Sequence, residues 1–432
     1  MRAPVFPVLT LLACTVPPAG KPSEAEENGD SAAWTDNDWS PGPCDGGNYG
    51  AITYESYNSA IHVRTDGSDT ADGSLATPVA TLDAAMTIAR ASTGADHIAI
   101  GPGTFAANVS IGEVLGDENG LIIEGCGTSE TTLAAAKAWD SILRVSGTQD
   151  VRLAGFTLSG GRRALMVYGG ATAYLDSLAI TASMRCGLLA DGAATTVFGT
   201  SIGVYDTLPD TYDGDAYGYG ILIQSAQFTM NDLVIDGSNS VGMLIDGTSI
   251  AELDDFDVNN TVAVDGFLGR GIQVQDSAQL TATRMRLSGN ADAGLYARQA
   301  LSVDLTDVSV GETALSNAPD GGASAGDGIV VTQGDTEHNY DPADFRAVLT
   351  NFDISGSARA GVLLDRVTGT LAGTMNIAAS ADDPGGGKVV VQGGAVVTGA
   401  DVVDLDAAGT PLDTFGLGLD LDDTSDVGVE PE

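Results

Sequence analysis

The chain has 432 residues, with 59 acidic against 18 basic ones and a formal net charge of −41. A charge of that sign and size excludes nucleic acid and an anionic bilayer surface as electrostatic partners, leaves cations and neutral ligands, and repels copies of the chain, so a monomer is expected. The 43% hydrophobic content supplies a large core and the 57 glycines supply many tight corners, which excludes global disorder.

The chain opens with MRAPVFPVLTLLAC: a basic start at Arg2, an apolar run from Val5 to Ala13, then Cys14. A run this short cannot span a bilayer as a helix of ~20 residues, so residues 1–13 read as an export signal. Leu11-Leu12-Ala13-Cys14 resembles the lipobox of bacterial lipoproteins. The resemblance implies cleavage before Cys14, acylation of Cys14, and attachment of the exported body to the cell envelope, at the outer membrane or the cell surface. The alternative is an ordinary secretory signal cut near Ala19. Stable anchoring takes two or more lipid chains. With Cys14 acylated, Cys44, Cys126 and Cys186 remain, and at most one disulfide can form among them. Their spacing matches no zinc or redox pattern, so burial as small hydrophobes or a single bridge is expected.

Residues 14–51 are rich in Pro, Gly, Ser and acidic residues and have no apolar periodicity, the composition of a flexible tether. Residues 52–132 read as a cap and first coils. Ile61-His62-Val63 and a turn-rich stretch from Asp66 to Ser74 precede Pro78, and behind it Leu82, Ala85, Met86 and Ala89 recur at helical spacing. The segments HIAIGPGTFAANVSI and LIIEGCG then read as strands between Gly-rich corners. This order of DGS turns, amphipathic helix, IAIGPGTF and LIIEGCG, from Ile61 to about Thr132, resembles the amino-terminal region of pectin-lyase-like β-helix proteins. There the helix covers the open first coil, whose strand edges would otherwise be unpaired.

From residue 133 to 412 a template of apolar-x-apolar-x-x-apolar-x-apolar recurs. It fits Val151/Leu153/Phe156/Leu158, Ala173/Leu175/Leu178/Ile180, Phe228/Met230/Leu233/Ile235 and Ala251/Leu253/Phe256/Val258, and later copies start at Leu280, Val303 and Ala347. Weaker copies start at Val197 and Thr370. Each apolar pair has the period of a strand, and the two-residue break between pairs marks a corner. The base unit is about 22 to 24 residues, longer where insertions stand. A second element, Gly followed by apolar-x-apolar, begins at Gly187, Gly220, Gly242, Gly271, Gly294, Gly328 and Gly361. Three short strands per turn follow. A leucine-rich repeat would need a Leu/Asn consensus that is missing here. The repeated region resembles the pectin-lyase-like right-handed parallel β-helix, an all-β solenoid of about ten coils with an N-terminal capping helix. Residues 413–432 form an acidic C-terminal tail.

Stacked coils turn equivalent residues into ladders about 4.8 Å apart. The first outward row of the Gly-led strands is Leu189, Leu222, Leu244, Gln273, Tyr296, Val330 and Leu363, an apolar row expected to be covered by loops. The next row is Asp191, Gln224, Asp246, Gln275, Arg298, Thr332 and Asp365. The β-helix lyases that the chain resembles use acidic calcium ligands with an Arg or Lys base, and related hydrolases pair Asp residues. Asp246 and Arg298 are therefore the candidate catalytic residues, although they stand two coils apart and no second carboxylate flanks Asp246 in the ladder. The polygalacturonase series is missing, and Asp254-Asp255 lies in a template strand.

Long insertions at Tyr205 to Tyr219, Thr261 to Arg270 and Glu312 to Asp327 each precede a Gly-led strand and should emerge at one corner, whereas Gln333 to Arg346 leaves another. The first holds Asp206, Asp210, Asp213 and Asp215, which could collect around calcium, among Tyr205, Tyr212, Tyr217 and Tyr219, which could stack on sugar rings. The expected function is a surface-anchored, non-catalytic β-helix lipoprotein that binds or adheres to carbohydrate or another surface component. The alternatives are a divergent polysaccharide lyase or glycoside hydrolase, and a structural envelope component; fold alone licenses no reaction.

Overall fold

The structure is a computed structural model that describes residues 59–92, 96–112, 118–210, 217–264, 268–313, 326–334, 344–378, 389–404 and 406. The signal, Cys14 and the tether, the C-terminal tail, and Tyr212, Asp213 and Asp215 lie outside the described residues. The strands stack as a parallel β-helix with two continuous ladders. One runs from Ile61–Val63 through His97–Ile100, Ile122–Gly125 and nine successive long strands to Val396–Thr398, and the other runs from Val109–Ile111 to Val402–Asp404. Every pairing between named strands is parallel.

The apolar template is the register of the first ladder. Leu153, Leu175, Gly199, Met230, Leu253, Ala282, Leu305 and Leu349 stack as one inward column, and Phe156, Leu178, Ile202, Leu233, Phe256, Met285, Val308 and Phe352 stack as the next. All of these except Gly199 are buried in one continuous apolar core. Between the two columns the chain bends at a left-handed residue in each coil: Gly155, Ser177, Ser201, Asp232, Asp255, Arg284, Asp307, Asn351 and Gly373. The two-residue break in the template is this corner, so each long strand folds across two faces while remaining in one hydrogen-bonded ladder.

The weak copy expected to start at Thr370 starts one residue earlier. Gly369 and Leu371 stack on Ala347 and Leu349, but Met375 and Ile377 stack on Phe352 and Ile354, because a bulge after Ala372 inserts one residue. The glycines leading the second-ladder strands have a steric cause. A Cβ on Gly242 would lie 2.4 Å from Val258 Cγ1 and 2.6 Å from the carbonyl oxygen of Gly271, and the same clash with the next glycine's carbonyl recurs at Gly187, Gly220, Gly271, Gly294 and Gly328.

The helix spans Leu82–Ala91. Thr81 caps it by accepting a hydrogen bond from the Ala84 N–H, and Asp69 accepts from the N–H groups of Ala80 and Thr81. Leu82, Ala85, Met86 and Ala89 bury against the first coils, as their spacing predicts. No helix among the described residues is long and apolar enough to cross a membrane. Cys126 is disulfide-bonded, and Cys186 is a buried free thiol.

Candidate functional site

The outward rows of the second ladder align as the Gly-led strands predict: Leu189 with Leu222, Leu222 with Leu244, then Gln273, Tyr296, Val330 and Leu363 in turn. This row is buried. At one end Leu189, Leu222 and Leu244 form an outer apolar cluster with Met166, Cys186, Tyr219, Val241 and Leu268, against which Tyr168 and Tyr217 pack; at the other end Tyr296, Val330 and Leu363 cluster with Ala293, Ala360 and Val390. Leu268 and Tyr217 belong to insertions, so the loops fold back over the sheet. The three insertions expected at one corner do lie between a long strand and the following Gly-led strand.

At the middle of this face the apolar row gives way to a buried polar chain. Arg270 donates from Nε to Asp292 Oδ2 at 2.9 Å and from Nη1 to Gln273 Oε1 at 2.8 Å, and its guanidinium lies over the Tyr296 ring, 3.8 Å from the centroid. Gln273 Nε2 donates to Gln275 Oε1 at 2.5 Å. Gln275 Nε2 in turn donates to Asp246 Oδ1 at 2.9 Å and to Asp276 Oδ2 at 3.1 Å. The amide of Gln275 therefore bridges two carboxylates. Burial pushes the Asp246 carboxyl up to about 6; the Gln275 hydrogen bond opposes the rise, and the neighbouring Asp276 carboxylate adds to it.

No second carboxylate flanks Asp246 within the ladder, as the row predicts, but Asp276 approaches it from outside the row. Asp276 is not in the ladder row. It occupies the turn after Arg270–Gln275 with φ 54°, and that left-handed turn returns its side chain toward the rung before. Asp246 is only 8% exposed, whereas Asp276 is open to solvent. Arg298 pairs with Gln275 in the ladder and so stands two rungs from Asp246. It is half-buried, lies against Gly334, and makes no hydrogen bond or ion pair among the described residues. Beyond it the Thr332 hydroxyl donates to Asp365 at 3.0 Å, and Arg366 donates to Asp365 at 2.6 Å and to the Gly334 carbonyl at 2.7 Å. At the other end of the row, burial raises the Asp191 carboxyl.

The described residues of the first insertion disperse. Asp210 is buried and occupied by arginines, 2.9 Å from Arg162 Nε and 3.7 Å from Arg185 Nη1. Tyr219 is buried in the outer apolar cluster and Tyr217 packs on it, whereas Tyr205 is exposed at its strand end and Asp206 turns at φ 52°. Among the described residues no three His, Cys, Asp or Glu side chains are grouped closely enough to hold a metal ion. Asp254 and Asp255 face outward from their template strand and pair with Arg284 and Arg286 on the next coil.

No protein-family model matches the chain, and no curated protein matches it. Solved structures match its fold at low identity. The Agl-KA catalytic domain aligns over 78% of this chain and 65% of its own, with 12% identity and a TM-score of 0.52. Pectate lyase Pel9A aligns over 84% and 88%, with 13% identity and a TM-score of 0.46, and alginate lyase from Paenibacillus sp. str. FPU-7 over 73% and 97%, with 12% identity and a TM-score of 0.44. The chain has the pectin-lyase-like parallel β-helix fold. At these identities the likeness extends to the fold alone.

Proposed function

We propose that this chain is an exported, surface-anchored β-helix that binds polysaccharide along the polar row of its second sheet. The observation that carries this reading is the form of that row. Amide, carboxylate, guanidinium and hydroxyl groups repeat at about 4.8 Å over Gln224, Asp246, Gln275, Arg298, Thr332 and Asp365, roughly 24 Å in all, which suits an extended chain with a hydroxyl-rich repeat. The inner members are held by one another, so the half-buried Gln224 and Arg298 and the exposed Asp276 sit on a rigid base and lose little freedom on binding. Several structural neighbours carry the names of enzymes acting on polysaccharides, which agrees with this ligand class without assigning it. The lipobox-like Leu11-Leu12-Ala13-Cys14 and the acidic tether behind it support display on the cell envelope. Calcium remains a candidate ligand only through the acidic first insertion.

One observation favours catalysis as the second reading: Asp246 and Asp276 share a bridging amide but differ in solvation, so burial raises one carboxyl to about 6 while its partner faces solvent. That arrangement suits proton transfer to or from a bound glycan. The test is a panel of soluble polysaccharides, neutral and uronate, run by affinity electrophoresis and by assay for new reducing ends or unsaturated products. Retardation without product, lost in Gln224→Ala and Arg298→Ala, is the expected outcome. Product formation abolished by Asp246→Asn would establish the second reading, and no retardation with any glycan would refute the first.

A further inference from the structure

The long strands of the first ladder from Thr172–Thr181 to Arg346–Ser355 are each paired along both edges. The last one is not. Thr368–Ile377 pairs with Arg346–Ser355 on one side, but on the other only Thr368, Gly369 and Thr370 find partners, in Val396–Thr398. Among the described residues no strand lies along the outer edge of Thr374–Ile377. The Ala378 N–H donates to the Ile354 carbonyl, and backbone groups of successive residues point to opposite edges of a strand, so those of Met375 and Ile377 point to the open edge. An unpaired edge is a template for another strand.

The side chains beside this edge make it selective. Met375 and Ile377 are half-buried at the end of the apolar core, and with Val389 and Ala400 they border a cavity of about 520 Å³. The same cavity is lined by Asp353 and Asp401, both exposed and neither in an ion pair or hydrogen bond among the described residues.

We propose that this edge docks an extended segment of another polypeptide, with an apolar residue in the cavity and Lys or Arg beside Asp353 and Asp401. The main-chain groups of Met375 and Ile377 supply the hydrogen bonds of strand addition, while the cavity and the two carboxylates choose the sequence. Charge decides against a second copy of this chain as the occupant. The chain holds 59 acidic against 18 basic residues, and two identical edges would bring like carboxylates together. Charge also decides against residues 413–432, an acidic segment without Lys or Arg. None of the residues named here belongs to the polar row, so the docking surface is separate from the glycan site.

The experiment titrates the full chain with fluorescent synthetic peptides by anisotropy and reads hydrogen exchange at Met375 and Ile377. One peptide alternates Val with Lys, one is the same peptide N-methylated throughout, one alternates Val with Glu, and one reproduces residues 413–432. The Val–Lys peptide is expected to bind and to slow exchange at both amides, and the N-methylated form, equal in charge but without edge donors, to bind about tenfold more weakly. Ile377→Pro removes one edge N–H and should weaken the Val–Lys peptide by about tenfold. Asp353→Lys with Asp401→Lys, which breaks no pairing among the described residues and so keeps the fold, should reverse the preference to the Val–Glu peptide. No binding of the Val–Lys peptide, equal binding of its N-methylated form, or binding unchanged in both variants overturns the proposal. So does slow exchange at Met375 and Ile377 before any peptide is added, tighter binding of the 413–432 peptide, or a dimer in sedimentation velocity that Ile377→Pro dissociates.

Discussion

Asp246→Asn is expected to stabilise the fold, and by an amount that depends on pH in a defined way. The substitution keeps the acceptor for Gln275 Nε2 and removes an ionisable group that burial has raised to about 6 from the ordinary 3.8. A raised carboxyl binds its proton more tightly in the folded than in the unfolded chain. Folding stability therefore falls as pH rises from about 4 through about 6, and the full penalty is present above that window. The shift corresponds to about 3 kcal/mol, so the asparagine variant should exceed the unaltered chain by up to that amount at pH 7.5 and by about half of it at pH 5. Urea unfolding followed by far-ultraviolet circular dichroism at the two pH values gives the difference directly. Comparing variant with parent cancels the common pH dependence of the other acidic residues. A gap that does not narrow toward pH 5, or a variant less stable at pH 7.5, would refute the assignment of Asp246 as a buried, charge-penalised partner of Asp276.

Other outcomes follow from the packing. Gly242→Ala drives a methyl into Val258 and the Gly271 carbonyl and should lower stability by about 1–3 kcal/mol in the same urea assay, while Gly311→Ala, where a Cβ meets nothing within 4 Å, should be close to neutral. Arg270→Met leaves Asp292 buried without this guanidinium and should cost about 3–5 kcal/mol. Arg284→Ala removes an exposed pair with Asp254 and should change stability by less than about 1 kcal/mol. Cys186 should resist thiol reagents in the folded protein and react on unfolding, as measured by mass shift after brief alkylation at pH 8.

Much of the fold was legible because a solenoid repeats its physics. The template, its corner and the Gly-led strand each recur often enough to fix register from spacing, and the structure stacks Phe156, Leu178 and Phe256 where that spacing puts them. The pattern slipped only at Gly369, where one bulged residue separates two apolar pairs that individually keep their period. The site was less legible. Asp246 stood out from its row, but its partner Asp276 lies one residue past the strand, and its approach depends on a left-handed turn that strand periodicity does not encode. The signal that could have found it is the Gln-Asp sequence directly after a Gly-led strand, since an acidic residue at a left-handed corner can fold back on the preceding coil. Asp210 misled because an acidic loop resembles a cation site in sequence, whereas its partners Arg162 and Arg185 lie coils away in the chain.

The proposed function turns on whether a glycan occupies the polar row. The most direct measurement is equilibrium binding of the full chain to whichever polysaccharide retards it, comparing Arg298→Ala and Gln224→Ala with Asn376→Ala, which lies on the exposed face of the first ladder. Affinity that falls at least tenfold in the first two variants and is unchanged in the third is the result expected. Affinity lost only in Asn376→Ala, or unchanged in all three, would contradict the account.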